Sequence, residues 1–314
     1  MGACVLLSAP GVVMAHPFFR TNAIWALPKM KMHGRTVTST FAMADAVVPT
    51  PPDAAVVVVY GRPSSSNTQK VLWALHEASV PFTLELASAL LGPKSQQFAA
   101  EGEAYGVVDT PGYLAMNPTA RVPTLTDGGF SVFESNTICR YIAQQHCPAL
   151  FCGGGSAASL APAQQAATVS TWMDFSLDQN GASAVSFGTL AEVVTRLPEA
   201  ERGDPETLAK AIGAAAQTIR VLDTRLQAVA AAELAVPFVA GPEFTIGDVP
   251  LGCEVTRWFC CLASAKAQGF TLPKPVPSFP HVRSWWERLR ERPAFREGCG
   301  LQEAAHHGVD LDAV

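Results

Sequence analysis

Apolar and polar positions divide residues 55–87 into two predicted strands and one helix. Residues 55–60 (AVVVVY) form a continuous apolar run rich in valine, which predicts a buried central strand. The next segment, TQKVLWALHEA, carries apolar residues at helical spacing, and residues 80–87 predict a second strand. This order is typical of a β-α-β unit.

A hairpin followed by a helix is predicted for residues 117–141 (NPTARVPTLTDGGFSVFESNTICRY). Strands at residues 122–126 and 129–133 flank Asp127-Gly128. This pair is a strong turn signal, because both central residues of a tight two-residue turn need positive φ. The chain therefore predicts β-α-β and then ββα, which is the order of a thioredoxin-like domain.

Pro123 is the unusual residue of the predicted hairpin. Proline cannot donate to a strand ladder, so it is expected at a sheet edge, a strand start or a bend. A cis bond between Val122 and Pro123 would turn the Val122 backbone toward whatever lies beside the strand, where it could pair with an extended peptide. An ordinary trans proline at a strand start is the alternative.

Both predicted helices begin with polar residues, and the first has more of them than capping requires. Residues 64–67 (SSSN) are four capping residue types in a row, although one would suffice. A hydroxyl at a helix N-terminus can stabilise a thiolate, and the unpaired N–H groups of a helix start suit a carboxylate. Glu134-Ser135 opens the second helix in the same way. Plain helix capping is the alternative at both places.

The second half of the chain reads as helical. Residues 148–160 are rich in Gly, Pro and Ser, which indicates a linker, and helical spacing continues over residues 161–300. Asp204-Pro205 predicts a helix start, and Thr245 with Asp248 predicts a capping box of structural role. Residues 301–314 are expected to form a loose tail.

Residues 1–54 have the composition of a leader. They contain no Asp or Glu before Asp45, several basic residues, and many Ser, Thr and Ala, which is typical of an organelle transit peptide. The alternative is a disordered or artefactual leader, with the true start at Met43. Prolines in VVPTPPD predict a stiff linker into the first domain.

Composition narrows the function. The chain has 314 residues, 48% of them hydrophobic and 16% charged, with a formal net charge of −5. There is no basic run, which argues against nucleic acid as a partner, and no segment suited to spanning a membrane. Eight cysteines without a CxxC pair indicate reduced thiols in a reducing compartment and no metal site.

The segments NPTARVPTL, DGG and FESNTICRYIA closely resemble the N-terminal domain of glutathione S-transferases. The resemblance implies a cis bond before Pro123 and an α/β thioredoxin-like domain over residues 55–147. It also implies an all-α helical-bundle domain over residues 161–300.

The segment SSSNTQKVLWAL resembles the active-site segment of serine-type transferases, such as the phi, theta and zeta classes and a related bacterial group. This places the catalytic serine at Ser65, with Asn67 as second candidate. An offset of one residue would choose Ser64 or Ser66 instead. The thiol to be activated would belong to bound glutathione.

The same resemblance implies how glutathione is held. Val122 and Pro123 would present backbone to the cysteinyl unit, while Glu134 would bind the γ-glutamyl ammonium and Ser135 its carboxylate. The connection over residues 88–112 is longer than the family's. Lys94 in this connection and Arg121 after it are candidates for binding the glycine carboxylate of glutathione. Gln96 and Gln97 are weaker candidates. A solvated loop lysine is the alternative for Lys94.

A second-substrate pocket is expected between the two domains, over the sulfur. Its candidates by analogy are Trp172, Met173, Phe175 and Trp258, although aromatic and methionine residues at helical spacing often belong simply to the core.

The resemblance implies an enzyme that conjugates the glutathione thiolate to hydrophobic electrophiles, as a homodimer, with glutathione as co-substrate and no cofactor or metal. We expect it in the cytoplasm, or in a mitochondrion or plastid if residues 1–54 are a transit peptide. Alternatives are a glutathione-dependent isomerase of the zeta type and a non-catalytic binding module with this fold. A glutaredoxin-like reductase is disfavoured, because no cysteine lies near Ser65.

Overall fold

The computed structural model describes residues 57–88, 107–152, 161–177, 183–231 and 238–314, the side chains of residues 183–186 excepted. The predicted leader at residues 1–54 lies outside this range, and so do Lys94, Gln96 and Gln97. Within the described residues, no helix is long and apolar enough to cross a bilayer.

A four-stranded sheet with the strand order β2-β1-β3-β4 forms the first domain. Strand β1 is central, because it pairs in parallel with β2 and antiparallel with β3. The predicted order of strands and helices is confirmed. The elements are β1 (Val57–Gly61), α1 (Ser66–Glu77), β2 (Phe82–Leu86), α2 (Pro111–Met116), β3 (Thr124–Asp127), β4 (Phe130–Phe133) and α3 (Ser135–His146).

The hairpin differs from its prediction by one residue. Asp127 pairs with Phe130 in the ladder, so the central turn residues are Gly128 and Gly129, with φ of 55° and 93°. Glycine adopts positive φ without steric cost, and the ladder gains one more pair by placing the turn there. The prediction that Asp127 is a central turn residue is therefore wrong.

The cis bond between Val122 and Pro123 is confirmed. Strand β3 begins only at Thr124, after the proline, and not at residue 122 as the pattern predicted. The difference has a simple cause, since Pro123 has no N–H with which to join the ladder.

Helices make up the rest of the described chain, which confirms the predicted fold class. The Thr207 N–H donates to the Asp204 side chain at 2.9 Å, so the predicted cap of the helix that begins at Pro205 is present. The elements are α4 (Ala149–Cys152), α5 (Pro162–Phe175), α6 (Ser183–Ala191), a π-helical segment (Glu192–Arg196), a 3₁₀ turn (Glu199–Glu201), α7 (Pro205–Ala231), α8 (Asp248–Ala267), α9 (Pro280–Arg290), α10 (Pro293–Phe295), a second π-helical segment (Arg296–Gly300), α11 (Leu301–His306) and a last 3₁₀ turn (Leu311–Ala313).

Asp248 fastens the start of α8 to its surroundings. Its carboxylate accepts from the Thr245 N–H at 3.0 Å, as a capping box requires, and also from Val239 N–H and Trp285 Nε1 at 3.0 Å each. Burial raises the pKa of Asp248 to about 6, while these hydrogen bonds favour the ionised form. The predicted structural role of this box therefore extends to helix α9.

Trp73 joins the sheet domain to the helical domain. It lies on α1, is fully buried, and packs edge to face on Phe295 with ring centroids 4.9 Å apart. The backbone of Gly298 also approaches α1 closely at Trp73. Helix α1 therefore packs against α3, α8 and the segment around Gly298.

The expectation of a loose tail at residues 301–314 is wrong. Helix α11 buries Glu303 and Ala304 to 0% and 3% exposure, and Leu311 reaches 2%. The sequence pattern missed this packing because the buried residues include Glu303 and His307, whose polarity suggested solvent.

We expect Gly298→Ala to destabilise the fold by about 1–3 kcal/mol, because overpacking a tight site costs this much. A Cβ at this position would meet the Trp73 backbone at 2.4 and 2.5 Å. The matched control is Gly213→Ala in α7, where nothing lies within 4 Å and the change should stabilise by about 0.5–1 kcal/mol. Thermal unfolding of both variants measures the two effects. An equal shift of the unfolding temperature in both would contradict the close contact between Gly298 and Trp73.

Candidate functional site

Ser65 is the N-cap residue of α1. Its backbone is extended, with φ of −90° and ψ of 117°, and its Oγ accepts from the Thr68 N–H at 3.4 Å. Accepting this bond leaves the hydroxyl proton available for another group. The capping interpretation and the catalytic interpretation are therefore compatible at Ser65. The four residues 64–67 are all half-buried, so the loop is accessible.

The start of α3 provides a second group of donors. Ser135 is its first residue and is 5% exposed. Glu134 before it is exposed, has a φ of 69° and makes no side-chain cap bond. A non-glycine residue at positive φ costs on the order of 1–3 kcal/mol and is often associated with a functional site. Plain capping therefore does not account for the Glu134 side chain.

The two helix starts meet. The Ser135 hydroxyl donates to Asn67 Oδ1 at 3.4 Å, so the beginning of α3 contacts the first turn of α1. Each start carries backbone N–H groups without an intrahelical partner and a partial positive charge. Their combination favours an anionic ligand. The structure thus joins the two segments that the sequence had singled out separately.

Lys70 fixes the orientation of the Asn67 amide. Its buried ammonium donates to Asn67 Oδ1 at 3.2 Å and to Glu254 Oε1 at 3.3 Å. Because an ammonium can only donate, the oxygen of the amide must face Lys70, and Nδ2 is the donor that remains. This geometry makes Asn67 a hydrogen-bond donor toward any ligand at the helix start.

A second buried ion pair lies next to the loop of Ser64, Ser65 and Ser66. Arg257 of α8 donates to Glu303 from Nε at 2.6 Å and from Nη2 at 2.9 Å. Burial opposes ionisation of Glu303, but the charge of Arg257 and the hydrogen bond from His307 hold its pKa well below the usual value. Both partners are therefore charged in the fold.

Sequence reasoning missed both ion pairs. The available signal was a single Glu and a single Arg, Glu254 and Arg257, within the otherwise apolar stretch VPLGCEVTRWFCCLASA. Charged residues are rarely buried unless they are paired. The pattern could have predicted buried pairs, but it could not name their partners 46 and 184 residues away.

Val122 lies at the same end of the hairpin as the start of α3. Thr124 pairs with Phe133, so the residues just outside the ladder are neighbours across it. The Arg121 carbonyl accepts from the Tyr113 hydroxyl at 2.6 Å and from Asn117 Nδ2 at 2.9 Å, which fixes the backbone next to Val122. The Arg121 side chain is exposed, and its predicted role stays untested.

The predicted second-substrate residues divide into two groups. Met173 and Trp258 are at most 1% exposed, so they belong to the core. Trp172 and Phe175 are half-buried, with their rings edge to face at 5.5 Å. Arg225 lies over the Trp172 ring at 5.8 Å. Their part in a pocket stays a prediction. Over the described ranges, no group of three or more His, Cys, Asp or Glu side chains could hold a metal ion.

We expect Lys70→Met to destabilise the fold by about 3–5 kcal/mol, because it leaves Glu254 buried without its cation. The double variant Lys70→Met with Glu254→Met should recover most of this loss. The control is Lys210→Met, which breaks an exposed pair with Glu206 and should change stability by at most about 0.5 kcal/mol. Urea denaturation measures the free energy of unfolding of each variant. An equal loss of this free energy in Lys70→Met and Lys210→Met would refute the role of burial.

Comparisons with known proteins find relatives of this chain in one family. The family model described as "Glutathione S-transferase, N-terminal domain" matches residues 64–145, which include both helix starts. Glutathione S-transferase 3 of Zea mays is 29% identical over 244 residues, covering 76% of this chain and 91% of that protein. Glutathione S-transferase GstB of Escherichia coli (strain K12) is 29% identical over 246 residues, covering 77% and 97%.

Among solved structures, the theta class glutathione S-transferase of the citrus canker pathogen Xanthomonas axonopodis pv. citri, with glutathione bound, is 35% identical. The match has a TM-score of 0.57 and covers 78% of this chain and 97% of that one. With the thioredoxin-like sheet, the helical second domain and the meeting of the two helix starts, the chain belongs to the glutathione S-transferase family.

Proposed function

We propose that the protein binds glutathione at the junction of α1 and α3 and conjugates its thiolate to electrophilic, hydrophobic second substrates. The observation that carries this proposal is the bond between Ser135 and Asn67, which brings the two helix starts together. Anion-stabilising donors for a thiolate and for a carboxylate are then available within one site.

In the proposed reaction Ser65 donates its hydroxyl hydrogen bond to the sulfur of glutathione. A free thiol ionises poorly near neutral pH, and a donor at a helix N-terminus favours the thiolate. The thiol loses its proton to solvent, and the sulfur forms a bond to the electrophilic carbon. The leaving group departs with its electron pair, or an activated double bond takes up a proton. Asn67 Nδ2 is the second donor candidate.

The peptide end of glutathione is held at the hairpin and α3 in this proposal. Glu134 supplies the anion for the γ-glutamyl ammonium, and Ser135 with the N–H groups of α3 binds the carboxylate. The Val122 backbone pairs with the cysteinyl unit beside cis Pro123. Arg121 is the described candidate for the glycine carboxylate, and Trp172 with Phe175 for the electrophile pocket.

The assembly and compartment are parts of the same proposal. We propose that the protein is a homodimer. Glutathione is its co-substrate, and the proposed reaction uses no cofactor. Six described cysteines are free thiols, which supports a reducing compartment such as the cytoplasm, or an organelle if residues 1–54 are a transit peptide. They are Cys139, Cys147, Cys253, Cys260, Cys261 and Cys299.

We expect Ser65→Ala to lower kcat for conjugation of a chloronitrobenzene by about 10²-fold, because one preorganised donor to the developing charge is lost. Binding of S-methylglutathione, which has no thiol, should stay within about threefold, since its peptide contacts are intact. The ultraviolet thiolate band on adding glutathione should weaken in parallel. Unchanged turnover would transfer the role to Asn67, tested by Asn67→Ala. If the wild type shows neither the thiolate band nor turnover, the proposal that the protein is an enzyme is wrong.

We expect Glu134→Gln to weaken binding of S-methylglutathione by about 1.5–3 kcal/mol, the range for a hydrogen bond to a charged group. The control is Glu206→Gln, an exposed carboxylate in the first turn of α7, which should leave binding unchanged. Calorimetric titration measures both variants. Equal affinities for the two would exclude Glu134 as the partner of the ammonium.

A further inference from the structure

Glu303 receives four hydrogen bonds in the interior, behind the serine loop. Its Oε1 accepts from Arg257 Nε at 2.6 Å and from His307 Nε2 at 2.9 Å. Its Oε2 accepts from Arg257 Nη2 at 2.9 Å and from Gln69 Nε2 at 2.8 Å. The carboxylate is 0% exposed, so it is fully satisfied without water. We call Glu303, Arg257, Gln69 and His307 the Glu303 cluster.

Two members of the Glu303 cluster reach the loop that carries Ser65. Arg257 donates from Nη1 to Ser66 Oγ at 3.1 Å and from Nη2 to the Ser64 carbonyl at 3.5 Å. Gln69 donates to the Pro63 carbonyl at 2.8 Å. The cluster therefore contacts the loop on both sides of Ser65.

Ser65 lies between the two residues that Arg257 contacts in this loop. Its N–H is bonded to the Arg62 carbonyl at 3.1 Å, which fixes its backbone. The Ser66 hydroxyl and the Asn67 oxygen are engaged by Arg257 and Lys70. Arg257 therefore holds Ser64 at its carbonyl and Ser66 at its hydroxyl, and Ser65 between them caps α1.

Stability alone is a weak reason for such a cluster. Burying an ion pair costs desolvation free energy, and the attraction between the two charges often only balances this cost. Proteins with apolar side chains of similar volume in place of the pair are often equally stable. A planar guanidinium, however, presents several donors in a fixed fork and can hold a loop in one geometry. Catalytic groups lose efficiency when displaced by a fraction of an ångström, so a rigid fork beside Ser65 has a functional use.

We propose that Glu303, acting through Arg257 and Gln69, is a positioning residue that holds residues 63–66 so that the Ser65 hydroxyl faces the substrate sulfur. The C-terminal segment with α11 is then a part of the active site. The inference rests on the proposed function, because it concerns the sulfur that Ser65 is proposed to meet.

The test compares Glu303→Gln in the full-length protein with Asp312→Asn as matched control. Asp312 lies in the same C-terminal segment and pairs with Arg296 at the surface, 61% exposed. A second variant, Gln69→Met, removes the hydrogen bonds of Gln69 to Pro63 and to Glu303 but leaves the ion pair of Glu303 with Arg257 intact. It keeps the test valid if Glu303→Gln fails to fold.

We expect Glu303→Gln and Gln69→Met to lower kcat by about tenfold, while KM for glutathione and binding of S-methylglutathione stay within about threefold. The thiolate band of bound glutathione should titrate about one pH unit higher, because the Ser65 donor is misaligned. The Ser65 amide should exchange its hydrogen faster in both variants. Asp312→Asn should behave as the wild type in every measurement.

The outcomes separate the two hypotheses. A wild type without a thiolate band or turnover refutes the proposed function, and amide exchange at Ser65 then still decides whether the cluster holds the loop. If the wild type shows both the thiolate band and turnover, the proposed function stands. If the folded variants then keep the wild-type thiolate titration and Ser65 amide exchange, the positioning role alone is overturned. An equal loss of S-methylglutathione binding and of turnover also overturns it, since that result indicates general damage to the site.

Discussion

Pairing of buried charge around α1 is the constraint on which the site depends. An ammonium and a guanidinium, those of Lys70 and Arg257, are enclosed where α1 meets the helical domain. Each needs a carboxylate, because an unpaired buried charge costs several kcal/mol. Glu254 and Glu303 supply the carboxylates from α8 and α11. The two domains and the C-terminal segment are therefore fixed relative to the residues that begin α1.

This arrangement explains how a small set of polar groups can act as one site. The first turn of α1 is polar where it meets the start of α3 and charged on the interior side, and the two are linked through the amide of Asn67. Donors that are already oriented lose little free energy on binding an anion. The exposed Glu134 at positive φ adds a carboxylate beside donors, which suits a ligand with both an ammonium and a carboxylate.

The sheet domain could be predicted well because its signals are local. Valine runs, a helical repeat, a turn rich in glycine and a proline at a strand start each act within a few residues. Errors were confined to boundaries: the turn moved by one residue to Gly128-Gly129, and β3 began after Pro123. The helical domain was predicted in class and in its caps at Asp204 and Asp248.

The sequence by itself determined the order of elements, the two polar helix starts and, through family resemblance, the cis bond before Pro123. Only the tertiary structure decided that Ser135 touches Asn67, and that the presumed tail is packed with Glu303 behind the serine loop. The reason is that ion pairs such as Arg257 with Glu303 join residues 46 positions apart, and Gln69 with Glu303 spans 234. Propensity and periodicity describe neighbours along the chain, whereas these contacts arise only when separate helices enclose the same charge.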